Sequence, residues 1–233
     1  MTADPSALPD SLATWQRIRA RVPWSAHGLS AGTTHPHPAP HPPGDQDSLT
    51  AWVEACARPR GQARADRLLS ALALVRDDAI HRAPLTFGLL AGWQRLVLGA
   101  DTHFRDGDAY AKGGRERYAL TPHTRTDFAR CLAEATAPGL PLPARAARVY
   151  LDVAFFHPFP DGNGRAALLT LAYVLLREDT HLARVGPLQT ARYPDDPHGA
   201  ASLADLVSLL TRGGGHQVLR PERPVERRTP LRG

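Results

Sequence analysis

The amino-acid sequence predicts an all-α fold carrying one small β-hairpin. Apolar residues recur at helical spacing through most of the chain after residue 48, and capping and breaking residues fall at the ends of those runs. Only 108–120 departs from the pattern. A short amphipathic helix fits residues 12–22. Ser48 or Thr50 is placed to cap a helix running through Cys56, and 64–80 repeats Leu68, Leu72, Val75 and Ile80 on one stripe. Pro84 ends that run, and Thr86 caps a helix bearing Leu89, Leu90, Trp93, Leu96 and Val97. Helices follow over 126–135 and 144–156, the latter with Ala146, Val149, Tyr150 and Val153 in line. Residues 164–176 are apolar nearly all round, which requires a central, buried position. A last helix over 200–211 stops at Gly213-Gly214-Gly215. In 108–120, Tyr110 and Lys112 alternate with alanines, Gly113 and Gly114 tolerate positive φ, and 115–118 returns. That is a hairpin pattern, with an irregular loop as the alternative.

The organisation that follows is a poorly ordered segment over 1–47, one domain over 48–215 and a basic tail over 216–233. Within the first segment His35, His37 and His41 alternate with prolines that favour extended backbone. Nothing preorganises those imidazoles, so the stretch reads as a stiff solvated linker and not as a metal site. At 233 residues, 42% of them hydrophobic, the chain has room for one ordinary domain with tails. Its longest strongly apolar run, 166–176, is too short to cross a bilayer, and no secretory signal pattern opens the chain. Cys56 and Cys131 make no disulfide framework, so the expected setting is the reducing cytoplasm. The net charge of +5 does not imply nucleic acid: Lys112 is the only lysine, and the arginines are scattered among acids, as at 76–78 and 115–117, with 220–232 the one real cluster.

One loop concentrates chemistry. His157-Pro158-Phe159-Pro160-Asp161-Gly162-Asn163-Gly164-Arg165 joins two predicted helices and holds a base, an acid, two glycines, an amide and a guanidinium. Gly162 and Gly164 allow successive N–H groups to converge, and Asn163 is placed to cap the helix that follows. The bare amides and positive dipole end of that helix would face one point, which suits a phosphate. Arg165 adds a permanent forked charge, Asp161 a hard oxygen ligand for Mg²⁺, and His157 a group able to take a proton near neutral pH.

This arrangement resembles the signature of the Fic family (Fic and Doc proteins), H-x-F-x-[D/E]-G-N-G-R-x-x-R, which His157, Phe159, Asp161, Gly162, Asn163, Gly164 and Arg165 match. The resemblance implies a Fic-type helical core over about 48–215 with a β-hairpin flap upstream of the signature, where 108–120 lies. It further implies a transferase moving AMP, or another nucleoside monophosphate, from ATP and Mg²⁺ onto a Ser, Thr or Tyr hydroxyl of a target protein. By the same analogy His157 is the general base and Asp161 holds Mg²⁺. Gly162, Asn163 and Gly164 form the anion hole, Arg165 binds the leaving pyrophosphate, and Phe159 fixes the loop from the core. The flap, through Tyr110, Lys112, Gly113 and Gly114, docks the target as an added strand. An antitoxin protein is a further partner that the family suggests.

One position departs from the signature. Leu168 stands where the second arginine belongs, and leucine has neither donor nor charge. In the family that arginine contacts the γ-phosphate and anchors an inhibitory glutamate, for which 50–54, with Glu54, is only a partial match. Doc-type proteins also end their motif in Arg-x-x-Leu and transfer the γ-phosphate, so Doc-like phosphorylation is the alternative, although those proteins carry lysine where this chain has Gly164. A catalytically silent nucleotide-binding scaffold is a third reading. Arg105, just before the flap, reads as structural. His103, His123 and His181, with the two cysteines, are assigned no chemistry.

Overall fold

A computed structural model of the chain describes residues 8–28 and 47–212. The expected disorder of 1–7 and 29–46, the His/Pro linker, the glycine stop at 213–215 and the basic tail lie outside those residues. Eight α-helices and one two-stranded sheet follow in the order α1 (Ser11–Arg21), α2 (Ser48–Trp52), α3 (Gln62–Ile80), α4 (Phe87–Leu98), β1 (Ala109–Ala111), β2 (Glu116–Tyr118), α5 (Thr124–Thr136), α6 (Leu142–Phe156), α7 (Asn163–Leu176) and α8 (Pro197–Arg212). The fold is the expected helical one with a small hairpin. Among the described residues no helix is long and apolar enough to cross a membrane.

The centre is a pair of helices, α6 and α7. Every residue of α7 from Ala166 to Leu175 is buried, as its all-round apolar sequence requires. α6 packs on α7, on α8 and on α5, while α3 and α4 cover the other side of α7. The chain therefore turns from one central helix into the other at the loop 157–162, and the signature sits where the core's two axes meet.

Local signals explain most boundaries. Thr86 caps α4 by accepting from the Leu89 amide at 3.3 Å, and Gly99 closes it in the left-handed conformation, donating to the Arg95 carbonyl at 2.8 Å. α2 is capped by Asp47, which accepts from the Thr50 amide at 2.8 Å, and not by Ser48 or Thr50. The expected helix through Cys56 widens instead into a π-helical turn at Val53–Ala57 and a 3₁₀ turn at Arg58–Arg60. Pro59 lacks the N–H that would continue the ladder, and its ring needs room against the preceding turn. Ile80, placed on the apolar stripe of α3, is 79% exposed. The buried stripe runs Leu68, Leu72, Val75, Ala79, and residue 80 lies about 100° beyond it on the helix.

The reading of 1–47 as a poorly ordered segment is corrected over 8–28. α1 packs on α6 with Trp15 wholly buried, and Trp15 Nε1 donates to Asp152 Oδ1 at 3.0 Å. Arg19 donates to the same carboxylate at 2.7 Å and to Glu134 at 2.8 Å, so a buried charge on α6 is neutralised from the N-terminal helix.

Candidate active site

His157 ends α6 in the left-handed conformation, with φ 46° and ψ 57°. A side chain is held there only when its surroundings fix it. They do: the Arg105 amide donates to the Pro158 carbonyl at 2.9 Å, and the imidazole stacks on the Tyr118 ring at 4.3 Å between centroids. Burial drives the His157 pKa down to about 4 and the nearby Arg105 charge adds to the effect, against smaller opposing pulls from the Phe155 backbone and Glu116. The imidazole is therefore neutral at neutral pH and able to accept a proton.

The turn itself is clamped by its own asparagine. Asn163 Oδ1 accepts from the Phe159 amide at 3.0 Å while Nδ2 donates to the Phe159 carbonyl at 2.8 Å, all of it buried. Phe159 is buried beneath, stacked on Phe87 at 5.2 Å. The expected capping by Asn163 is corrected accordingly. Its side chain cannot reach a nucleotide while it holds Phe159, and Gly162, with φ 76°, occupies the cap position instead. The Gly162 amide donates to Asp161 Oδ1 at 2.6 Å. What stays open at the start of α7 is the pair of amides of Asn163 and Gly164, which have no side-chain cap and no backbone partner among the described residues.

Asp161 extends its carboxylate into solvent, 78% exposed, with Arg165 Nη2 at 3.4 Å. No cluster of three or more histidine, cysteine or acidic side chains that could hold a metal exists among the described residues. A lone accessible carboxylate would suit Mg²⁺, which takes one or two carboxylates and fills its shell with phosphate and water. The Arg165 guanidinium is mostly covered. Burial lowers its pKa, and Arg64 and Arg67 on α3 lower it further against the pull of Asp161. Leu168 is buried in α7 and adds no charge. The partial match at Glu54 is accounted for locally, since Arg58 one turn on donates to its carboxylate at 2.6 Å.

Residues 84–175 match the Fic/DOC family model. That segment is a Fic/DOC family domain. None of the curated proteins compared with the chain matches it. Among solved structures the chain is similar to a variant of IbpAFic2 in complex with adenylylated Cdc42, with TM-score 0.54 at 13% identity, over 87% of this chain and 77% of that one. It is also similar to Fic-1 from C. elegans, with TM-score 0.50 at 15% identity, over 88% and 68% of the two chains. These likenesses establish the shared Fic fold and extend it beyond the matched segment.

The Fic/DOC domain's hairpin is present where the alternation of 108–120 put it. β1 pairs antiparallel with β2 in the register Ala109↔Tyr118, Tyr110↔Arg117 and Ala111↔Glu116. Lys112, Gly113 and Gly114 make the turn with φ of 52°, 69° and 81°, and only Gly113 and Gly114 do so without a steric cost. Tyr110 is exposed. Lys112 is occupied: it pairs with Glu116 at 2.7 Å, donates to the Arg192 carbonyl at 2.9 Å and lies 3.4 Å over the Tyr193 ring. Glu116 in turn accepts from the Tyr118 hydroxyl at 2.6 Å, which links the turn to the ring stacked on His157. The outer edge of β2 carries a parallel bridge from Asp10, whereas the outer edge of β1 is unpaired among the described residues.

Two buried side chains complete the site without belonging to the signature. Arg105 is 4% exposed and donates to the carbonyls of Phe156, Gly107 and Ala119, tying the end of α6 to both roots of the hairpin. Its structural reading fits those contacts. Gln94, fully buried on α4, donates to the Asp161 carbonyl at 2.7 Å and packs against Gly162, where any side chain would collide with it. Its Oε1 has no partner among the described residues. Gln94 was missed in the sequence, yet it left a signal. It is the polar member of the apolar stripe Leu90, Trp93, Val97, and a glutamine there must serve a polar partner.

Proposed function

We propose that the protein transfers AMP from ATP to a Ser, Thr or Tyr hydroxyl of a target protein, in the presence of Mg²⁺. The observation that carries this reading is a neutral imidazole, fixed against Tyr118 at the end of α6, in the same short turn that leads into the two unpaired amides opening α7. The acceptor hydroxyl gives its proton to His157 as its oxygen forms a bond to the α-phosphorus. The bond from that phosphorus to the oxygen bridging the β-phosphate breaks, and pyrophosphate leaves. The Asn163 and Gly164 amides, with the helix dipole, meet the phosphate oxygens, and Arg165 meets the charge that builds on the leaving group. Mg²⁺, when bound through Asp161, would neutralise phosphate charge. The arriving phosphates also raise the proton affinity of the imidazole, which burial alone holds low.

The β1 edge supports a protein acceptor, since an extended peptide can pair there. So does IbpAFic2, which shares the fold and is in complex with adenylylated Cdc42. Leu168, uncharged and turned into the core, favours γ-phosphoryl transfer as the second reading. The test is incubation of the protein with Mg²⁺, a cell lysate and ATP labelled at either the α- or the γ-phosphate. The expected result is α-label on protein, lost in His157→Ala with the helical circular dichroism unchanged. Label from the γ-position alone would replace AMP transfer with phosphorylation. Nucleotide binding without label from either position would leave a scaffold.

A further inference from the structure

Two guanidinium groups of α3, those of Arg64 and Arg67, act by their charge on Arg165 of the signature turn, and one carboxylate, Asp161, opposes them. Arg64 and Arg67 stand one turn apart on α3, which packs on α7, and both are exposed. Arg67 lies over Gly99 at the end of α4, where a Cβ would meet its Cδ at 3.1 Å and its Nη1 at 3.2 Å. Tyr173 and Arg177 at the end of α7 donate to carbonyls of residues 82 and 83 just past α3, so the packed helices α3 and α7 run the same way and their first turns lie together, on the side where Gln94 of α4 reaches the Asp161 carbonyl. Neither guanidinium has a hydrogen bond or ion pair among the described residues, and both are near enough for their charge to act on Arg165. Asp161 is the sole carboxylate opposing them on Arg165, and it is shared with the Gly162 amide. Like charges converge here at a cost that a bound anion would relieve. Buried Gln94 Oε1, at the same turn, also lacks the donor that ordered water around such an anion would supply.

We infer that Arg64 and Arg67 form a second anion site, continuous with the α7 amides, that holds the distal phosphates of a nucleoside triphosphate. The two amides and Arg165 are enough for the phosphates at the reacting end. A polyphosphate reaching past Arg165 toward α3 meets the arginine pair, which provides the charge that Leu168 lacks. This rests on the nucleotide reading proposed above and adds to it a means of discriminating ATP from shorter nucleotides. The separation of roles is physical: point contacts at the turn recognise one phosphate, while the arginine pair counts how many follow.

The test is calorimetric binding of ATP, ADP and AMP, each with Mg²⁺, to the full chain and to Arg64→Ala/Arg67→Ala. The wild-type protein is expected to prefer ATP to AMP. The double variant is expected to lose about tenfold or more in ATP affinity, the size of one lost charge-assisted hydrogen bond, and less than about twofold for AMP. Arg64→Lys/Arg67→Lys, which keeps the charge, is expected to recover part of the ATP affinity, and inorganic tripolyphosphate to compete with ATP only when the arginines are present. Equal losses for ATP and AMP, or none for either, would overturn the second site while leaving the nucleotide reading standing. A wild-type protein that binds no nucleotide at all would remove both.

Discussion

The turn between α6 and α7 and the hairpin beside it are held in opposite ways. The turn is fastened from inside: Asn163 brackets Phe159 with two buried hydrogen bonds, Gln94 props the Asp161 carbonyl, and Arg105 takes the Phe156 carbonyl. The hairpin, six paired residues long, shares the buried Arg105 tie at its roots and buries Tyr118, but its turn is fastened from outside, by Lys112 on Tyr193 and by ion pairs of partly exposed groups such as Arg117–Asp108. Buried polar contacts are costly to break, whereas surface pairs contribute little and exchange readily. Under the proposed function, the contrast would suit a preorganised phosphate site next to a docking element that adapts to its partner.

Breaking the inner fastening should have the largest effect. Asn163→Ala leaves the Phe159 amide and carbonyl buried and unsatisfied, so the expected loss of stability is about 2–4 kcal/mol. Thermal unfolding should show a fall of roughly 5–15 °C, with AMP transfer lost. A fall of only a degree or two would mean the bracket is not what holds the turn.

The second expectation concerns protonation. Burial holds the His157 pKa near 4, so the base remains neutral as the pH falls and is disabled only near that value. The acid limb of kcat/KM should therefore lie close to pH 4 and not at 6.5. Tyr118→Ala, which uncovers the imidazole, should move the limb upward. A wild-type limb at 6.5 would show that the ring is solvated in solution.

Loosening the outer fastening should have the smallest effect on stability. Lys112→Ala removes a half-buried cation–π contact, the ion pair with Glu116 and a bond to the Arg192 carbonyl, with an expected cost of about 1 kcal/mol. Its signature should be faster amide hydrogen exchange over 109–118, with exchange in α7 unchanged. Equal acceleration in both regions would dissolve the contrast.

How far these features were legible in the sequence follows from the range of the interactions that make them. Thr86, Gly99 and the Gly113-Gly114 turn act within a few residues, so the helices and the hairpin could be read directly. The apolar girth of α7 fixed its central place for the same reason. What escaped depended on distant partners. Trp15 gives the N-terminal helix its place through Asp152, 137 residues away, and no pattern within 8–28 announces that. Asn163 matched the signature, but its residue type fits either a nucleotide contact or a loop bracket, and only the direction of its side chain decides. Arg64 and Arg67 look like ordinary surface arginines of α3 until α7 is packed beside them.

The bridge between Asp10 and Arg117 has a mechanical consequence. The Asp10 carboxylate also accepts from the Ala119 amide at 3.1 Å, and Arg117 reaches the Leu8 carbonyl. Residues 8–10 are thereby stitched to the rim of the hairpin by a single bridge and two side-chain bonds. Any load borne by residues ahead of Leu8, whether a tethered neighbour or a bulky tag, would be transmitted along that seam to the lip over the imidazole.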